Sequence, residues 1–473
     1  MITRCGLKHL QNYAQPEVHF SKKQEMRHSK TVELNDPEIR NRLLAWASRK
    51  TVCCVLNSNV DKQLFVDSYS KFDFIVAVDV EDEIILKNDE LISDPGTCFD
   101  LLKHFHEQKK DWLFGFLTYD LKNENSYSGK NSDELRFPDL HFFQPQYILK
   151  VKKGNLHIDY LASRYAELSV QKILDEIMKT RLSFPELKNE IHIQQKVSKP
   201  DYVSTVEKIK KHIQRGDVYE MNYCVEFFAE DAVIHPLEMY LKLNEISPMP
   251  FSCFYRMNDH YLICASPERF IAKRENKIIS QPIKGTARRG KTNEEDDQIK
   301  NKLKNDPKEL SENVMIVDLV RNDLARTASK GSVQVEELSG IYTFRQLHQM
   351  ISTVVSEMRN DVHFTEVINH AFPMGSMTGA PKIRAMQLIE QYETTKRSLY
   401  SGSVGYISPD GDFDFNVVIR TILYNADKKY LSFMVGSAIT ANSVPEQEYD
   451  ECLLKANAML KILKVQQPVT VNH

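Results

Sequence analysis

The chain has 473 residues, of which 42% are hydrophobic and 27% charged, with 62 basic against 65 acidic side chains. That balance describes a globular protein of one large domain or about two to three average ones, and a net charge of −3 sets up no general field for nucleic acid or anionic lipid. No apolar run approaches the roughly 20 residues of a membrane span, and residues 1–20 lack the continuous apolar core of a secretory signal.

The eight cysteines include no CxxC pair. Cys53, Cys54, Cys224, Cys253 and Cys264 fall in apolar, strand-like runs, where a reduced cysteine acts as a small core residue. A cytoplasmic, zinc-free protein is the expectation.

In chain order, the runs "TVCCVLNSN" from Thr51, "FDFIVAVDV" from Phe72 and "EIILK" from Glu83 read as sheet strands separated by polar turns. A helix near Asp100 to Gln108 leads into the apolar strand "WLFGFLTYDL". "YILKVKKGNLHIDYLA" reads as a hairpin across Gly154 and Asn155, followed by the helix "ELSVQKILDEIMKTRL" and a polar connection. A new block opens at Ser198, which forms a capping pattern with Asp201; Val203, Val206, Ile209 and Ile213 then recur at helical spacing until Gly216. "FSCFYRM", "HYLICASPERFIAKR" and "KIISQPIKG" follow as strands, "DPKELSENVMIVDLVRNDLARTA" as a long helix opened by Pro307, and "EQEYDECLLKANAMLKIL" as a closing helix. The sum is an α+β chain built on antiparallel hairpins, divided softly into 1–195 and 196–473, two parts free to share sheets.

Several residues stand out chemically. Lys284 ends a strand and is followed at once by Gly285, in "SQPIKGTARRG". It is either a solvated lysine or an amine nucleophile. Glu268, in "ASPERF", either caps a turn or donates a proton beside that amine. The pair works near pH 7 only if the lysine is neutral and the acid protonated, and burial pushes both that way.

The long helix is apolar nearly all round, so its carboxylates need partners, Asp323 with Arg326 for example; Glu312 is freer to serve a ligand. Glu448 and Glu451 share a helix face, where Glu451 either pairs with Lys455 at i+4 or joins a magnesium site. "MGSMTGAPKIRAMQLIE" places small residues before Pro381 at a helix start, a possible anion cradle, with Ile383, Met386 and Ile389 as the buried side. Arg420 and the small Gly436 and Ser437 sit on strands where a carboxylate could be met.

Taken together, "PIKGTARRG", "ENVMIVDLVRND", "HQMIST", "MGSMTGAPKIRAM", "SGSVGYIS", "VVIRT" and "EQEYDE" resemble the ordered motif set of the chorismate-binding enzymes, over about residues 198–463. The resemblance implies an α/β sandwich of the anthranilate synthase large-subunit type: two sheets covered by helices, with the active site between them. Anthranilate synthases usually read PIAGT where this chain reads PIKGT, the form found in the aminodeoxychorismate synthases of the family. By that resemblance Lys284 attacks C2 of chorismate, Glu268 protonates the departing 4-hydroxyl, and ammonia then adds at C4.

The same likeness implies Mg²⁺ on Glu312 and Glu451, with Glu448 behind them. It places His348 in the active site, Thr378 and Gly379 in a substrate loop, and Tyr406, Arg420, Gly436 and Ser437 against the substrate carboxylates. It further implies a glutamine amidotransferase partner supplying ammonia, and a tryptophan pocket from Ser58, Tyr69, Ser70, Lys71, Phe72, Pro250, Phe251 and Ser252. Two departures are Met374 for a usual glycine and Glu220, in "GDVYEMN", where glutamine is common. Anthranilate synthase component I is the alternative within the same fold.

Overall fold

Two long strands organise the molecule. In the computed structural model, Phe74–Leu86 and Leu140–Lys152 pair antiparallel along their length, with a register shift between Val80 and Asp82. The structure describes residues 27–464 except 34–35, 60–66, 88–96, 126–130, 153–154, 162–166 and 188–189, and again 469–470. From the Phe74–Val78 end one sheet continues through Val52–Asn57, Phe251–Met257, His260–Ser266, Thr421–Asn425 and Tyr430–Ile439 to Glu220–Ala229. From the other end a second sheet runs through Leu113–Leu117, Ser403–Ile407, Phe413–Asn416, Arg269–Arg274 and Lys277–Gln281 to Leu347–Glu357. Strands from both sides of residue 195 therefore enter both sheets.

Strand alternation sorts the core. On Val52–Asn57, Cys53 and Val55 face a layer closed by the helices Ile39–Ala47 and Pro445–Ile462, whereas Val52 and Cys54 face a second core. Phe116 of the second sheet meets Tyr255 of the first edge-on at 5.3 Å in that second core. Each fully buried aromatic or aliphatic side chain contributes about 1.5–3 kcal/mol, and both cores are continuous. The five strand cysteines are buried and outside any disulfide, as expected, and so are Cys98 and Cys452 on helices. This is the α/β sandwich that the motif set implied.

The expected helices appear, with instructive differences at their faces. Ser198 caps Lys199–Gln214 by accepting the Asp201 N–H at 3.3 Å. Asp306 caps Pro307–Ala325, but that helix is not buried all round: Val314, Asp318 and Arg321 face solvent. Helix Lys382–Tyr392 starts after Pro381, which is its cap rather than its first helical residue. Its buried face is consequently Ala385, Leu388 and Ile389, and Ile383 stands 61% exposed instead of lining the core. The hairpin tip expected at Gly154 lies outside the described residues.

Candidate active site

Lys284 lies in a β-bulge. The strand Ile283–Arg288 pairs with Leu347–Glu357, but Ile283 faces Ile351 while Thr286 faces Gln349, so one residue is extra. Gly285 takes φ +87° in that bulge, a conformation that costs other residues energy, which explains the glycine after the lysine. The bulge turns Lys284 inward, where it is 8% exposed and its Nζ lies 2.6 Å from Glu220 Oε1. Glu220, 1% exposed, begins the strand Glu220–Ala229, and its Oε2 has no hydrogen-bond partner.

The lysine is not neutral at rest, contrary to the sequence expectation. Burial alone would lower its pKa, but Glu220, then Glu312 and Glu268, overcome that penalty and hold it above its ordinary value. Glu268 behaves as expected: burial pushes its carboxyl up to about 7, against the positive charges of Lys284 and Arg420. It is 4% exposed, just before the strand Arg269–Arg274, and lines a cavity with Met374, Gly375 and Ser376. Arg420 adopts φ +52°, uncommon for a side-chain-bearing residue, and its guanidinium makes no hydrogen bond or ion pair among the described residues. Burial draws its pKa down to about 10, with Glu268 opposing. An unpaired arginine in such a place is a ready acceptor of a carboxylate ligand.

The small-residue loop closes this site from the side. Gly379 bridges to Met221 and Ala380 to Glu220, so the loop is docked on the strand that carries the lysine's partner. At φ +149°, a Cβ on Gly379 would fall 2.2 Å from the Glu220 carbonyl oxygen, so only glycine fits. Thr378 is fully buried and its hydroxyl donates back to Met374 O (3.2 Å) and Gly375 O (3.3 Å). Arg397, 1% exposed, fastens the loop by donating to Met377 O at 2.6 Å and Asn222 O at 3.1 Å while pairing with Glu393.

Four carboxylates border the site from two helices. Glu309 and Glu312 come from Pro307–Ala325, Glu448 and Glu451 from Pro445–Ile462. Glu312 is 8% exposed, burial pushes it up to about 7, and its Oε1 lacks a hydrogen-bond partner. Glu451 pairs with Lys455 at 2.7 Å, and Glu448 accepts from the Ser437 hydroxyl. Lys455 also donates to Gly436 O at 2.8 Å, tying that strand to the helix. Among the described residues no three ligating side chains already converge on one point. An orphaned carboxylate oxygen beside a surplus of carboxylates fits a hard dication that keeps waters and takes one or two protein ligands.

The remaining sequence assignments divide. His348 is fully buried, but Nε2 meets Asp296 at 2.9 Å and Nδ1 meets Thr343 at 3.0 Å, so both ring nitrogens are engaged. Tyr406 is not beside Arg420. It packs on Phe72 (5.6 Å) and Trp112 (5.5 Å), and its buried hydroxyl lacks a partner. There it joins Ser58, Ser70, Lys71, Phe72, Pro250, Phe251 and Ser252 around a second cavity, while Tyr69 turns away to Glu336 and Lys277. Asp323 pairs with Lys382 at 2.6 Å rather than with Arg326, because Lys382 reaches it from the neighbouring helix and also caps Ala371 O at 2.9 Å. The partner of Lys284, the loop fastener Arg397 and the cation Lys308 had no role in the sequence reading. Only Glu220 had left a signal, as a carboxylate where an amide is usual.

Comparison with known proteins shows the family and the fold. A family model described as chorismate binding enzyme matches residues 61–461. The aminodeoxychorismate synthase component 1 of Bacillus subtilis (strain 168) is 31% identical over 414 residues, 84% of this chain and 87% of that protein. The anthranilate synthase component 1 of Acetivibrio thermocellus is 33% identical over 374 residues, 74% of each chain. Among solved structures, anthranilate synthase component I from Streptococcus pneumoniae TIGR4 superposes with a TM-score of 0.71 at 26% identity, covering 85% of this chain and 94% of that one. The menaquinone-specific isochorismate synthase of Escherichia coli has the same TM-score, 0.71, at 15% identity over 93% and 95% of the two chains, a likeness of fold. A family match of that length, on that fold and around that lysine, makes this chain one of the chorismate-binding enzymes.

Proposed function

We propose that the chain converts chorismate to 4-amino-4-deoxychorismate, using ammonia delivered by a separate glutamine amidotransferase subunit. Its relatives include aminodeoxychorismate and anthranilate synthases at similar identity, so the choice between them rests on one observation. That observation is Lys284, turned by a bulge into an enclosed site beside Glu220, with Glu268 near enough to feel its charge.

In this reading the lysine first gives up a proton, and Glu220 at 2.6 Å is placed to take it. The neutral amine attacks C2, both ring double bonds shift one place so that their electrons run from C2 round to C4, and the C4–O bond breaks as Glu268 passes its proton to the leaving hydroxyl, releasing water. Ammonia then forms a bond to C4, both double bonds shift back, and the C2–N bond breaks, returning the lysine amine. Two allylic displacements replace one difficult substitution, and the enolpyruvyl group stays on the ring. Arg420 takes one substrate carboxylate, supported by the Gly436–Ser437 strand. Glu312 and Glu451 would hold Mg²⁺, which supplies positive charge beside the other carboxylate.

The test is product identity. Purified protein given chorismate, magnesium chloride and ammonium chloride is expected to release a product that retains the enolpyruvyl group. Release of pyruvate with a fluorescent aromatic amine would replace this reading by anthranilate synthesis.

A further inference from the structure

The carboxylates on the two bordering helices outnumber the cations that meet them. Lys455 serves Glu451 at 2.7 Å, and Lys284 is held by Glu220 at 2.6 Å. The charge left over falls to Lys308, whose Nζ lies 3.6 Å from Glu448 Oε1 and 3.9 Å from Glu312 Oε1. Glu451 and Glu309 also act on it, so one ammonium answers to four carboxylates from two helices. Both separations are longer than a hydrogen bond, and its side chain is 46% exposed. Glu312 Oε1 remains without a hydrogen-bond partner despite this neighbour.

We infer that Lys308 is the resident cation of the carboxylate cluster, and that it swings out to solvent when a divalent metal binds Glu312 and Glu451. This rests on reading those two residues as the metal's ligands. A lysine is a compact charge on a flexible stem, and an exposed ion pair without hydrogen bonds holds it weakly. A dication brings twice the charge to the same carboxylates and repels the ammonium that stands beside them. Lys308 therefore screens the cluster in the metal-free protein and opposes metal entry to a modest degree.

Two measurements on the full chain test this. The first is acetylation of surface amines with and without Mg²⁺, read by peptide mass, with exposed Lys304 as reference. The second is Mg²⁺ calorimetry on wild type, Lys308→Met and Glu312→Gln. Lys308 is expected to label several-fold faster in saturating Mg²⁺ while Lys304 is unchanged, and Lys308→Met to bind Mg²⁺ about fivefold more tightly. Unchanged Lys308 labelling overturns the inference, even with tighter binding, because removing any nearby positive charge would tighten a cation site. If wild type takes up no Mg²⁺, or Glu312→Gln binds it as well as wild type, the ligand assignment fails instead and the inference falls with it.

Discussion

Lys284→Ala is expected to reduce formation of aminodeoxychorismate by about 10³-fold or more, because it removes the group to which the substrate becomes covalently attached. The same change has a structural cost. It leaves Glu220, 1% exposed, with a buried charge and no counter-ion, and breaking a buried pair from one side typically costs about 3–5 kcal/mol. The two effects separate in the double variant Glu220→Gln/Lys284→Ala, in which no uncompensated charge remains. Denaturant unfolding is expected to recover most of the lost stability there, while product formation stays absent. A double variant that regains aminodeoxychorismate synthesis together with stability would show that Lys284 serves the fold and not the chemistry.

Glu268→Gln is expected to lower kcat by about 10²–10⁴-fold, the usual worth of a positioned proton donor. Its pH signature follows from the direction of its shift. An acid must be protonated to act, and burial holds this carboxyl near 7, so kcat/KM for wild type declines as pH rises through about 7. The variant, with an amide at that position, loses that limb of the profile. The same shift links to stability. The folded protein keeps this proton up to about pH 7 while the unfolded chain releases it near 4.5, so Glu268 favours the fold most at acid pH and progressively less between those values. A wild-type profile with the limb intact in Glu268→Gln assigns the proton to another group.

What could be read from the sequence was whatever depends on local order. Period-two runs located the strands and Ser198 and Pro307 marked helix starts, whereas Lys284, read as the end of a strand, lies instead at the start of the separate strand Ile283–Arg288, where a bulge takes Gly285. What the sequence hid was pairing across space. Glu220 and Lys284 are 64 residues apart on different strands, and only the docking of one sheet against the other brings them to 2.6 Å. The expectation of a neutral lysine failed for that reason: burial and a nearby Glu268 were foreseen, but not Glu220, the carboxylate that acts on it most strongly. Tyr406 lines the second cavity with Val404, and strand alternation tells which face a side chain takes without telling what lies there. Lys382 reached Asp323 from another helix, displacing the nearer Arg326 that sequence spacing favoured.

The most direct measurement is the mass of the protein itself. Wild type is incubated with chorismate and Mg²⁺ without ammonia, acid-quenched, and then digested for peptide mapping. The account predicts a species heavier by chorismate less one water, with the added mass on the peptide containing Lys284. Turnover to aminodeoxychorismate once ammonia is supplied, with no adduct at any quench time and full activity in Lys284→Ala, would contradict it.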